Sequence, residues 1–153
     1  MALQTTVNTQ LAFGVPGSFY DDSPRRVAPY SVEGGAIARI YTINPTDPTK
    51  AVLGGNGVIA GIAVNSKEYP ITGLTATLEF KQGAIAQLAS MGHIIVMCEN
   101  EVSVGNAAFY NTTTGTIRAA APAEQIEGYV EIPNSQFIFV NGVAGEVAVL
   151  QLS

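Results

Sequence analysis

The stretch Glu101-Val-Ser-Val-Gly-Asn-Ala-Ala-Phe-Tyr-Asn-Thr-Thr-Thr-Gly-Thr-Ile-Arg-Ala119 decides the fold class. It reads as a strand approach at Val102–Val104, a glycine turn, an aromatic strand over Ala107–Tyr110, a Thr/Gly hairpin and a return strand over Thr116–Ala119. Gly115 suits the positive-φ position of a bulged hairpin loop. After a proline-containing loop come Ile126-Glu-Gly-Tyr-Val-Glu-Ile132, Gln136-Phe-Ile-Phe-Val140 and Glu146-Val-Ala-Val-Leu-Gln-Leu152. Short strands between turn signals are the pattern of a small β-sandwich or barrel.

Upstream of this stretch the same rhythm continues. Ala36–Ile43 reads as a strand, followed by a two-proline turn at Asn44–Thr49. Val58–Val64 reads as the next strand, with Gly61 marking a bulge or a close approach by another backbone. The glycines at 54, 55, 57 and 61 form neither a dinucleotide fingerprint nor a phosphate loop, and no helical pattern follows them. In Leu74-Thr-Ala-Thr-Leu-Glu-Phe80 the alternation is clean: Leu74, Ala76, Leu78 and Phe80 face one way, Thr75, Thr77 and Glu79 the other. Lys81-Gln-Gly reads as a turn, Ala84–Ser90 as a short strand closed by Met91-Gly92, and His93–Cys98 as a buried strand. No helical periodicity persists beyond two turns. The expectation is an all-β protein: a single β-sandwich/jelly-roll or barrel-like domain over residues 36–153, preceded by an extended N-terminal arm over residues 1–35.

The arm differs in composition. Three prolines and four glycines within residues 1–35 argue against a helix or a central strand. Four aromatics, Phe13, Phe19, Tyr20 and Tyr30, are too many for a disordered tail. Two readings stand: an extended arm lying across this chain's own sheet or a neighbour's, and a loop packed within its own domain.

A chain of 153 residues can bury roughly 70% of its unfolded surface. Hydrophobic residues make up 47%, enough for a core without staples. Charged residues are only 12%, about half the usual ~25%. The remaining Thr-, Asn-, Gln- and Gly-rich surface is neutral, polar and suited to lying against another protein. Net charge is -5 with seven Lys plus Arg, and no basic stripe exists. That argues against nucleic-acid binding and against a polybasic membrane anchor. The opening residues lack the charged and apolar regions of a signal peptide, and no apolar run has membrane-spanning length. The expected product is soluble and made in a cytoplasm.

Candidate chemistry is sparse. The single cysteine, Cys98, cannot form an internal disulfide and reads as a small buried hydrophobe. His93 lies five residues from it, so along a strand the two point to opposite faces and cannot pair. Asp21 and Asp22 lack further oxygen ligands at metal-binding spacing and read as partners for Arg25 and Arg26 or for a neighbouring protein. Arg25 and Arg26 could instead clamp a carboxylate on a neighbouring subunit. Glu99, Glu101, Glu124, Glu127 and Glu131 are scattered, and the stacking tryptophan typical of glycosidases is missing. GxSxG, HExxH and CxxC are absent. The expectation is no enzyme, no cofactor and no metal. A carbohydrate-binding sandwich remains an alternative, with Tyr69, Tyr110 and Tyr129 as candidate exposed aromatics.

Three sequence features then combine. Ala12-Phe-Gly-Val-Pro-Gly leads through a Pro/Arg stretch to Ser31-Val-Glu-Gly-Gly35. Gly61-Ile-Ala-Val-Asn-Ser-Lys-Glu-Tyr-Pro70 follows. Last come Val102-Ser-Val-Gly-Asn-Ala-Ala-Phe-Tyr-Asn-Thr-Thr-Thr-Gly-Thr-Ile117, Gly128-Tyr-Val and the closing Val-Ala-Val-Leu-Gln-Leu152. Together they resemble the structural cement (head decoration) proteins of tailed bacteriophages. The resemblance implies a β-rich, non-enzymatic protein added to the assembled head. It implies a dimer or trimer on the outer capsid surface, made in the host cytoplasm before assembly. It implies that the major capsid protein is the partner, with neighbouring subunits bridged and the shell held against the pressure of packaged DNA. A different virion β-domain, from tail, baseplate or spike, is the alternative. The expected interface residues are Phe13, Phe19, Tyr20, Arg25, Arg26, Tyr30, Lys67, Tyr69 and Thr113.

Overall fold

β-branched and aromatic residues alternate with small or polar ones through most of the chain, which favours strands with one buried face. The computed structural model describes residues 16–64, 79–140 and 147–153, and no helix occurs among them. The strands in chain order are β1 (Arg26–Glu33), β2 (Ile40–Ile43), β3 (Lys50–Leu53), β4 (Ile59–Ala63), β5 (Gln82–Met97), β6 (Ala107–Asn111), β7 (Ile117–Ala120), β8 (Tyr129–Glu131), β9 (Ser135–Phe139) and β10 (Val147–Leu152).

Five of them close into a barrel in the order β1-β3-β2-β4-β5, with β5 returning to β1. The closing seam is long: β1 lies antiparallel to β5 from Arg26 opposite Met91 to Glu33 opposite Gln82. On its other edge β1 runs parallel to β3 at Ser31 and Val32. The barrel interior is filled by Val32, Tyr41, Ala51, Ala63, Phe80 and Leu88. Small residues at Ala60, Ala63 and Ala86 leave room for the Tyr41 ring, whose hydroxyl donates to the Gly34 carbonyl at 2.9 Å.

Past Met91, β5 leaves the barrel. Its second half pairs with β10, which pairs with β9. A separate three-stranded sheet, β7-β6-β8, packs against this extension. Ile40, Ile62, Ile94, Val96, Tyr110, Ile117, Phe137 and Leu150 form the second core between them. The 111–115 turn locks the two halves together: Gly55 N–H donates to Thr112 O (2.7 Å) and Ile40 N–H to Gly115 O (2.9 Å).

The all-β expectation holds, in the form of a barrel with added sheets. The β6–β7 hairpin is as read, with Gly115 at φ +70°. Gly61 is both a bulge and a close approach. The β2–β4 register slips beside it, its φ is +145°, and a Cβ there would lie 2.5 Å from the Ala89 carbonyl oxygen.

Several local readings are corrected. Residues 26–33, read as part of an arm without a central strand, are β1. Pro29 is tolerated because its cross-strand neighbour Gln87 turns its carbonyl to Val64 on the β4 side (2.9 Å), so this pair needs no ladder bond from the missing N–H. Met91-Gly92 does not end a strand: β5 runs unbroken for 16 residues, turning at Gly92 with φ +132°. Residues 102–104 are not a strand, because the Asn106 side chain takes the Ser103 N–H (2.8 Å) and draws the segment into a turn. The strand expected over 36–43 begins only at Ile40, since Ala38 sits at φ +65°. Of the strand expected over 74–80, only Glu79 and Phe80 are among the described residues; Phe80 is buried against Tyr41 with centroids 6.4 Å apart.

Gly61→Ala is expected to cost about 2–4 kcal/mol, combining backbone strain with a forced shift of β5. Gly105→Ala, also at positive φ (+92°) but facing open space, should cost about 1 kcal/mol. Thermal and denaturant unfolding of the two variants compares them directly; equal losses would show that the contact with Ala89 does not matter.

Candidate functional site

The edge of β5 beyond Gly92 is occupied by the chain's own N-terminal segment. Gly17 N–H donates to Ile95 O (2.7 Å), Ile95 N–H to Ser18 O (2.9 Å) and Tyr20 N–H to His93 O (2.9 Å). Phe19 lies opposite Ile94 and packs against the second core. Its ring fits over Gly92, where a Cβ would come within 3.1 Å of it. The Arg25 guanidinium stands 4.5 Å above the same ring. Tyr20 meets the Phe139 ring of β9 with centroids 5.1 Å apart. Of the two surfaces open to an arm, this segment lies on its own sheet.

Asp21 does not pair with Arg25 or Arg26. Its Oδ2 sits 2.9 Å from His93 Nδ1, and Ser23 Oγ is 3.0 Å from the same nitrogen. The Ser23 hydroxyl and then His93 hold the Asp21 carboxyl down at about 2. Serine, histidine and aspartate thus meet, but not as a nucleophilic relay. That relay needs the hydroxyl on one ring nitrogen and the carboxylate on the other, whereas here both approach Nδ1. The cluster fastens the arm to β5.

Cys98, Tyr110 and Tyr129 are likewise built into the fold. Cys98 is buried, and burial followed by the nearby Glu99 pushes its thiol up to about 12, leaving almost no thiolate near neutrality. Among the described residues no three of His, Cys, Asp and Glu gather as metal ligands. Tyr110, expected to be exposed, is buried; its hydroxyl donates to Gly55 O at 2.9 Å, and burial raises its pKa. Tyr129 is half-buried, donates to Glu99 Oε2 at 2.5 Å and lies beneath Arg118. These two tyrosines do not form a sugar-stacking platform.

The expected interface residues are therefore dispersed. Phe19, Tyr20 and Arg25 are engaged within the chain, and Tyr30 is half-buried against the barrel core. Arg26 is exposed at the start of β1, and Thr113 is exposed at the hairpin tip. Phe13, Lys67 and Tyr69 lie outside the described residues.

The structure adds a surface that sequence reasoning missed. Cross-strand register puts Val27, Pro29 and Ser31 of β1 on one face with Ile85 and Gln87 of β5. Val27 is 37% exposed and Ile85 55%, and at the Ser31 end the row meets the exposed Lys50 of β3 and Glu33 of β1. The signal was present in Ala84-Ile-Ala-Gln-Leu88, but without β1 as a neighbouring strand its outer face had no second row.

The comparisons give this geometry a context. The family described as structural cement protein (E217 gp24/Pam3 gp6) matches residues 3–153. A chain from the capsid of Myoviridae phage XM1 has the same fold. It superposes with a TM-score of 0.68 at 16% identity, over 100% of this chain and 98% of that one. The head fibre gp8.5 N base of bacteriophage phi29 aligns with a TM-score of 0.47 at 11% identity, over 85% of this chain and 95% of that one. No curated protein matches the sequence. With the family match spanning nearly its whole length, this chain belongs to the structural cement proteins of bacteriophages.

Proposed function

We propose that the protein binds the outer surface of the assembled phage head as a small oligomer. There it bridges neighbouring major capsid subunits and stiffens the shell against the pressure of packaged DNA. The family match over residues 3–153 carries this reading. The neutral surface supports it, because a chain with 12% charged residues has little to gain from long-range steering and much to gain from broad, dehydrated contact. The β1–β5 outer face around Val27 and Ile85 is the surface we assign to the shell. Arg26 at its end and Thr113 on the hairpin tip are further contacts, together with Lys67 and Tyr69. The residues before Pro16 reach a neighbouring copy or capsid subunit. In this reading the protein is not an enzyme and takes no cofactor, and its partners include neither nucleic acid nor membrane.

Reconstitution on undecorated, expanded heads tests the proposal. Purified protein should bind and raise the temperature at which heads release DNA. Occupancy should persist in about 1 M salt, where charge interactions are screened beyond about 3 Å. Failure to bind at any ionic strength overturns the reading.

Ile85→Asp should lower occupancy by about tenfold or more, because it buries an unpaired charge in the contact. Val104→Asp, at a residue that is 65% exposed on the 101–106 loop, should leave it unchanged. Equal occupancy of both variants would move the contact elsewhere.

Removing residues 1–15 spares the ladder between residues 17–20 and β5. It is expected to leave the β-domain folded while weakening oligomerisation or shell binding. Unchanged particle stability would count against a role for the arm.

A further inference from the structure

The sheet β7-β6-β8 has two edges, and the chain treats them differently. The β7 edge is closed. Glu99 N–H donates to Ile117 O at 3.0 Å. Beside it the Asn100 side-chain amide copies a neighbouring strand, accepting the Ala119 N–H at 2.9 Å and donating to the Ala119 carbonyl at 2.7 Å. Other edges are covered as well: Gly105 and Asn106 exchange hydrogen bonds with Phe137 of β9, and the arm covers β5 beyond Gly92. Chains manage their exposed strand edges in this way because an open edge is a template for pairing.

The β8 edge is open. Ile132 N–H donates to Ala108 O, and Gly128 O accepts the Thr112 N–H. By the alternation of an antiparallel ladder, Gly128, Val130 and Ile132 turn their backbone groups to β6, and Tyr129 and Glu131 turn theirs outward. The Tyr129 N–H is used in its own turn, by Ile126 O at 3.2 Å. The Tyr129 carbonyl and the Glu131 N–H and carbonyl have no partner among the described residues. A groove of about 470 Å³ lies beside them, lined by Val130 and Ile132, by Val58 before β4, by Leu152 of β10, and by Ile40 and Tyr110. Val58 is 71% exposed and Val130 38%. Among the described residues, Glu131 is the one charged side chain on the groove wall.

We propose that the β8 edge receives an extended segment of another protein chain, added antiparallel as a fourth strand of this sheet. Its backbone takes up the three groups that Tyr129 and Glu131 turn outward. The period of two then sets its side chains. The residue opposite Val130 lies on the groove side, between Val58 and Val130, and is apolar. Its neighbour opposite Glu131 lies on the other face and is lysine or arginine, because opposite charges attract across strands and like charges repel. The occupant is therefore an extended segment with an apolar residue and a cation side by side. A second copy's β8 matches this less well: paired two-fold about Val130, it sets its Tyr129 opposite Glu131 and brings that carboxylate no cation. The inference goes beyond the shell face assigned to Val27 and Ile85 and does not depend on it.

The probe is the peptide acetyl-Ser-Val-Lys-Val-Thr-Thr-amide, titrated into the isotope-labelled full chain and followed by NMR. Saturable shifts are expected at the Glu131 amide and at the Val58 and Val130 methyls, with a Kd below about 1 mM. Replacing the peptide's lysine by glutamate should weaken binding about fivefold or more, and replacing its second valine by aspartate about tenfold or more. Glu131→Pro removes the outward N–H at an edge position that accepts proline, and should abolish binding. Val58→Arg obstructs the groove from an exposed position and should weaken binding about tenfold or more. Should Glu131→Pro fail to fold, Val58→Arg decides alone. The absence of saturable shifts at β8 overturns the proposal, and so does equal binding by the folded variants or by the lysine and glutamate peptides. Self-association of the unaltered chain that either variant abolishes also overturns it, by assigning the edge to a second copy. The assay contains no capsid, so its outcome is separable from that of the shell-binding test.

Discussion

One strand supplies hydrogen bonds to both halves of the molecule, and the rest is arranged around the point where it turns. The first half of β5 closes the barrel against β1 and β4, and the second half carries β10 on one edge and the arm on the other. The change of direction falls at Gly92, where φ is +132°. A side chain there would strain the backbone and would also collide with Phe19 at 3.1 Å and Arg25 at 3.2 Å. The residue that lets β5 serve two sheets is therefore the residue that lets the arm lie down. Close approach recurs inside the barrel, at Gly61 against Ala89, and between the halves, at Gly115 against Ile40, where a Cβ would stand 2.7 Å from the carbonyl. The two halves are held by backbone contacts of this kind, which tolerate little sliding.

Local features of this arrangement were legible in the sequence because they are decided by neighbouring residues. The 107–120 hairpin follows from its own turn chemistry, and Gly61 stands out because nothing else explains a glycine inside an apolar strand. Cys98 was legible as core because its neighbours Ile94, Ile95 and Val96 are apolar. What was hidden depends on contacts distant in sequence. Pro29 argues against a central strand until Gln87 is known to turn its carbonyl away from β1. Met91-Gly92 looks like a break until a bend at glycine is distinguished from an end. Tyr110 looks like a surface aromatic because its partner, the Gly55 carbonyl, lies 55 residues away.

The candidate site was legible in kind rather than in place. Low charge and an aromatic arm pointed to protein contact, and the family match agrees. Individual residues were harder. Phe19, Tyr20 and Arg25 were read as facing a partner, and they do make the ring and cation contacts that such residues favour, but with Gly92, Phe139 and each other. Asp21 was matched with nearby arginines because sequence proximity was the only guide, whereas His93 is 72 residues away. The outer row of Val27 and Ile85 could not be seen at all until β1 was a strand.

The fastening of the arm within its own subunit bears on how a cement protein can be strong with weak contacts. A long unanchored tail would lose conformational entropy on reaching a neighbour, roughly 1–2 kcal/mol for each residue ordered. Anchoring by the Gly17–Tyr20 ladder, the Phe19 ring and the Asp21–Ser23–His93 cluster meets part of that cost during folding. Under the proposed function, the pre-ordered arm and the outer face around Val27 and Ile85 would present several modest contacts at fixed spacing. On a symmetric shell, the first contact raises the effective concentration for the next, so a combination of individually weak contacts can exceed any one of them by orders of magnitude. Such a device would rest on rigid geometry, and the meeting of Asp21 and Ser23 at His93 Nδ1 supplies some of it by clasping the arm to β5.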